Sequence, residues 1–157
     1  MKLVPLLNRG YRRAKESYDQ WRYGRIDSSA PIGRQGEQAA ARLLRKKGLV
    51  IVAQSESDRA GEIDLIAADR KTRAMIFVEV KTLRTTRPGH PADRVDENKQ
   101  RRITHAAIRY LKRRNLLGIP SRFDVVAIWW PDGNPQPTAI EHYEHAFEAT
   151  GGASFWA

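Results

Sequence analysis

The stretch GEIDLIAADRKTRAMIFVEVK, Gly61 to Lys81, decides how the rest of the chain is read. It contains two apolar runs around a polar turn, ADRKT, the pattern of a β-hairpin. Side chains alternate across a strand. In the second run Met75, Phe77, Glu79 and Lys81 share one face, and Ile76, Val78 and Val80 share the other. In the first run Glu62, Asp64 and Ile66 share a face, opposite Ile63, Leu65 and Ala67. A hairpin turning about Asp69–Thr72 pairs residues whose numbers sum to about 141–143, which sets Asp64 opposite Phe77 or Glu79. Either register gathers Asp64, Glu79 and Lys81 on one face at the end of the sheet.

Two carboxylates side by side in an apolar setting repel each other and lose hydration. A divalent cation would offset both effects. Mg²⁺ is commonly held by one or two carboxylates, with water and substrate phosphate completing its shell. Two acids with a lysine beside them are the equipment of metal-assisted phosphodiester cleavage, in which a bound water is activated and charge on the phosphate is neutralised. The structural alternative is a simple ion pair of Lys81 with Glu79 or Asp64 at the rim of a sheet.

Around the hairpin, GRQGEQAAARLLRKK (33–47) is a helix pattern ended by Gly48, with Glu37, Ala40, Ala41 and Leu44 on one stripe. LVIVAQSE (49–56) reads as a strand, and TLRTTRPGHPADR (82–94) as a long polar loop. A second helix, from about Glu97 to Asn115, turns Ile103, Ala107, Tyr110 and Leu111 inward. Lys99, Arg101, Arg102, Arg109, Lys112 and Arg113 charge its other sides, and no acid occurs from Asn98 to Asn115. RFDVVAIWW (122–130) and TAIEHYEHAF (138–147) are two further strands, the last one suited to a sheet edge. The order predicts an α/β domain over residues 31–148, with a mixed sheet of about five strands flanked by helices. Residues 1–30 form a basic, aromatic N-terminal extension, and 149–157 a loose tail. In the extension Tyr11, Trp21 and Tyr23 could stack on bases, or the segment could be a helix lying on the domain surface.

The chain has 157 residues, 28 Lys and Arg against 18 Asp and Glu, and a net charge of +10. That excess favours a polyanionic partner, nucleic acid above all, through release of counterions from phosphates. There is no cysteine, hence neither a disulfide nor a thiolate metal site. No apolar run reaches the length of a membrane span, and the N-terminus lacks the pattern of a signal peptide. A cytoplasmic protein with no membrane partner is expected.

GEIDLIA followed by IFVEVK resembles the PD-(D/E)xK nuclease pattern. The ordered series GRQGEQAAARLL, GEIDLIA, FVEVK, NKQRRI, YL and RFDVV, over about residues 33–147, resembles the bacterial YraN-like family, predicted endonucleases similar to archaeal Holliday-junction resolvases. The proline of the PD pattern is absent, since Ile63 precedes Asp64. The resemblance implies a restriction-endonuclease-like fold and a Mg²⁺ or Mn²⁺ cofactor. Asp64 and Glu79 would be metal ligands with the carbonyl of Val80, and Lys81 the catalytic lysine. Glu37 matches a helical glutamate that approaches the metal in related nucleases, and Gln100 a helical glutamine near such sites. Glu62, in the GEID run, is a further possible ligand or backbone cap. Of the four histidines, none has a partner at metal-ligand spacing, and none is assigned a role.

The expected function is a divalent-metal-dependent DNA endonuclease acting on branched or otherwise structured DNA. A non-catalytic nucleic-acid-binding module of the same fold is the alternative, and an interaction protein with an acidic partner a third. Analogy with resolvases also allows a homodimer, although no self-complementary apolar patch stands out.

Overall fold

A computed structural model of the chain describes residues 4–59, 61–85 and 95–150, with side chains described from residue 14 onward. The helices are α1 (Val4–Tyr23), α2 (Ile32–Lys46) and α3 (Glu97–Arg113). The strands are β1 (Val50–Asp58), β2 (Gly61–Asp69), β3 (Ala74–Leu83), β4 (Ser121–Trp129) and β5 (Ala139–Phe147). They form one sheet in the order β1-β2-β3-β4-β5. Only β3 and β4 run parallel, joined by the crossover that contains α3, and every other neighbour is antiparallel. This is the expected mixed five-stranded sheet flanked by helices, consistent with a restriction-endonuclease-like fold. Most of the predicted 82–94 loop and the end of the tail fall outside the described residues, as do His90 and the side chain of Tyr11.

Alternation on the central strands builds two core layers. Met75, Phe77, Phe123 and Val125 meet Ile103, Ala107, Tyr110 and Leu111 of α3 on one face. Ile76, Val78, Val126 and Ile128 meet Ala39, Ala40, Ala41 and Leu44 of α2 on the other. The α3 stripe read from the sequence is therefore its buried face. Asp96 caps this helix by accepting the N–H of Lys99. Burying both faces of β3 and β4 explains why their sequences read as nearly continuous apolar runs.

One facial assignment is corrected. Ile63 does not lie with Leu65 and Ala67 but packs with Ile66 in the α3 layer. The cause is local. Opposite Asp64 stands Ser55, whose φ of 48° is left-handed; neither is paired although the register is the same on both sides, and the alternation breaks at this gap.

α1 leaves the extension part of the folded body. Asp19 pairs with Arg42 and Lys46 of α2, and Arg45 donates to the carbonyl of Tyr23. Val4–Tyr23 is thus a helix lying on the domain surface, and Trp21 on it is left exposed.

α2 sits unusually close to β3 at Gly36. A Cβ there would overlap the hydroxyl of Thr82 and crowd its Cβ at 3.2 Å. Thr82 is β-branched and stiff on its strand, so relief requires α2 to move. Gly36→Ala should destabilise the protein by about 1–3 kcal/mol in chemical denaturation, despite the better helix propensity of alanine. Thr82→Ala in the same chain should recover most of that loss, a coupling that a double-mutant cycle reads directly.

Candidate active site

The hairpin has the higher of the two expected registers. Leu65 pairs with Val78 and Asp69 with Ala74, so Asp64 comes next, level with Glu79. Regular pairing stops at Leu65 and Val78. Beyond it the Oδ2 of Asp64 accepts the N–H of Val80 at 2.7 Å. A side chain thus takes over the role of the neighbouring backbone where the two strands part.

Glu79 is almost fully buried, with 4% of its side chain exposed. Its Oε1 lies 2.8 Å from the ammonium of Lys81, and its Oε2 lies 3.2 Å from that of Lys99 on the first turn of α3. Asp64 has no such cation in contact among the described residues. Burial first, and then the charge of Glu79, push its carboxyl from the usual carboxylate range up to about 7. The Val80 N–H and the charge of Lys99 oppose that rise, and Glu37 adds to it.

Glu37 stands half-buried on α2, immediately after the close approach at Gly36. Its Oε2 accepts the hydroxyl of Ser55 at 3.1 Å. Asp64, Glu79, Lys81 and Glu37 are thus brought together from three elements, with Lys99 added from a fourth. Gln100 is placed differently: its amide donates to the Val95 carbonyl and secures the entry to α3. Glu62 is exposed on β2. Among the described residues no three of His, Asp and Glu are grouped closely enough to enclose an ion. The donors that the structure sets side by side are the two carboxyls, Asp64 and Glu79. Such an all-oxygen set suits a hard dication that keeps several waters.

The basic helix is less free than its sequence suggests. Arg109 and Arg113 bind Asp58, and Arg113 also binds Glu56, both acids from the end of β1. Lys99 is committed to Glu79, and Arg101 reaches Glu97 one turn back at 3.5 Å. Arg102 and Lys112 are exposed and carry no ion pair among the described residues.

Two features escaped the sequence reading. Ser55 had only its polarity inside a strand to mark it. Asp124, fully buried on β4, binds the Nε2 of His142 at 2.7 Å, Arg122, and the N–H of His145. His142 Nδ1 lies 2.9 Å from the ammonium of Lys47. The acid inside RFDVV carries the same kind of signal as Asp64. It serves a network that ties β4, β5 and the end of α2 on the opposite face from α3.

Fold and site together define a restriction-endonuclease-like α/β domain with an acidic pair and a lysine where two strands diverge. The model of "Uncharacterised protein family UPF0102" matches residues 36–128, and the chain belongs to that family. It is 66% identical over 144 residues to UPF0102 protein RB9115 of Rhodopirellula baltica, covering 92% of this chain and 86% of that one. A UPF0102 protein of Desulfosudis oleivorans is 45% identical over 129 residues, covering 82% of this chain and 99% of the relative. UPF0102 protein STH1475 of Symbiobacterium thermophilum is 44% identical, with 75% and 99% covered.

The raised Asp64 carboxyl makes stability depend on pH in a defined direction. The native state holds this proton to higher pH than the unfolded chain does. The resulting stabilisation is complete below about pH 3.8 and is lost as pH rises through about 7. Asparagine keeps an oxygen for the Val80 N–H and carries no charge. At pH 8 without divalent metal, Asp64→Asn should be more stable than wild type by at least about 1.4 kcal/mol, a tenfold change in the folding equilibrium. The difference should vanish toward pH 4 in urea titrations.

Proposed function

We propose that this protein is a divalent-metal-dependent endonuclease of the PD-(D/E)xK type that hydrolyses DNA phosphodiesters, with branched or otherwise structured DNA as its substrate. The observation that carries this reading is the acidic pair itself. Asp64 and Glu79 are held side by side, and burial together with the charge of Glu79 makes Asp64 retain its proton to about pH 7. A structural ion pair has no need of the second acid.

Asp64 and Glu79, with the carbonyl of Val80, would hold Mg²⁺ or Mn²⁺. The ion, when bound, supplies positive charge for the phosphate oxygens and a water of lowered pKa. Lys81, 2.8 Å from Glu79 and partly exposed, supplies an ammonium that orients the attacking water or steadies charge on the phosphate. Lys99 does the same from the α3 side. Glu37, fixed by Ser55, adds an acceptor for water. In the reaction a P–O bond to water oxygen forms and the P–O bond to the leaving sugar oxygen breaks, with a proton passing to that oxygen. Arg101, Arg102 and Lys112 give phosphate contacts without base choice, and Arg109 and Arg113 contribute where DNA draws them from their acids. The reading requires no membrane partner; among the described residues no helix is long and apolar enough to cross one.

The test is a nicking assay on flap, branched and plain duplex DNA with Mg²⁺ or Mn²⁺, against an EDTA control. Asp64→Ala, Glu79→Ala and Lys81→Ala should each lower cleavage on the order of 100-fold or more. Variants as active as wild type would remove the site. Salt-sensitive DNA binding with no metal uptake in calorimetry would instead make the protein a non-catalytic binding module.

A further inference from the structure

α1 carries an aromatic surface that nothing in the catalytic reading uses. Trp21 is 80% exposed and Tyr18, one turn earlier, is 54% exposed, with ring centroids 6.1 Å apart at an interplanar angle of 45°. An exposed tryptophan beside an exposed tyrosine is a large apolar area to leave in water. The inward side of α1 is already occupied. Asp19 is held by Arg42 and Lys46, and Glu16 lines the cavity between α1 and α2. The acids of this stretch therefore face the domain. Ser17, Arg22 and, just past the helix end, Arg25 are exposed beside them, the guanidinium of Arg22 lying 6.0 Å from the ring of Tyr23. Among the described residues the outer face is aromatic with arginines beside it, and no carboxylate lies at its centre.

That combination fits one partner. Unpaired bases offer flat π-faces to the rings, and the phosphates between them offer charge to Arg22 and Arg25. Duplex DNA hides its base faces and would use only the arginines. We propose that the outer face of α1, centred on Tyr18 and Trp21, is a stacking platform for single-stranded nucleic acid. If the catalytic reading holds, this face adds recognition of the unpaired segments that flaps and branch points present. The binding itself rests on α1 alone, and metal plays no part in it.

The experiment is fluorescence anisotropy of a labelled 20-nucleotide oligothymidylate, and of a duplex of the same length, in EDTA at low salt. The full-length Tyr18→Ala/Trp21→Ala protein should bind the single strand about tenfold more weakly or worse, with duplex binding changed less than twofold. Trp21→Phe should keep most of the affinity, because a smaller ring still stacks. Both positions lie on the surface, and an unchanged thermal melt will show that the variants fold. Unaltered single-strand affinity in the double variant overturns the proposal, as does an equal loss on duplex or a loss in Trp21→Phe as deep as in the alanine variant. It is also overturned if the double change abolishes sedimentation with anionic vesicles or a dimer in ultracentrifugation while sparing the oligonucleotide, which would assign the face to lipid or to a second copy. Because no cleavage is read, an inactive nuclease would leave this result standing, and an active one would not rescue it.

Discussion

The site depends on one hydrogen bond, from the N–H of Val80 to the carboxylate of Asp64. Where β2 and β3 separate, the backbone of β3 loses its partner, and an unsatisfied N–H near the core is costly. Asp64 answers that need with a carboxyl oxygen. The bond also holds the carboxyl within the field of Glu79. Separation of the strands and convergence of the acids are therefore one event. The elements around it supply what the acids lack: Lys81 from the same strand as Glu79, Lys99 from the capped start of α3, and Glu37 from α2, pressed close by Gly36.

The electrostatics of the two acids differ although they are neighbours. Glu79 is neutralised from both oxygens by lysines, whereas Asp64 has one backbone donor and bears the repulsion. A pair split in this way sets an acid held by two lysines beside another that gives up its proton near neutrality, the pattern found where neighbouring acids have unlike tasks. The basic surface is also structured. Glu56 and Asp58 at the end of β1 take up Arg109 and Arg113, so the run of cations on α3 is anchored on one flank and open on another.

What could be read from the chain was whatever depends on local periodicity. Alternation in GEIDLIA and IFVEVK yields the faces of β3, narrows the hairpin to two registers and brings Asp64 to Glu79. The 3.6-residue stripe yields the buried side of α3. What could not be read depends on pairs far apart in sequence. Nothing local says that Arg113 will meet Glu56, that His142 will close on a buried Asp124, or that Asp19 will seat α1 on α2. The misplacement of Ile63 has a similar origin. Strict alternation assumes an unbroken ladder, and the gap at Asp64 faces a left-handed Ser55 on a different strand.

The two outer strands share an irregularity of their own. β1 shifts register between Ile51 and Ala53 and carries left-handed Ser55, while β5 carries left-handed His145, whose N–H turns to Asp124 instead of continuing the ladder. A straight outer strand is a template on which a stray chain can add itself, the first step toward fibrils. Each border of this sheet is bent partway along, so neither presents an uninterrupted row of donors and acceptors. The kinks that serve Glu37 on one side and Asp124 on the other also make the sheet a poor seed for aggregation.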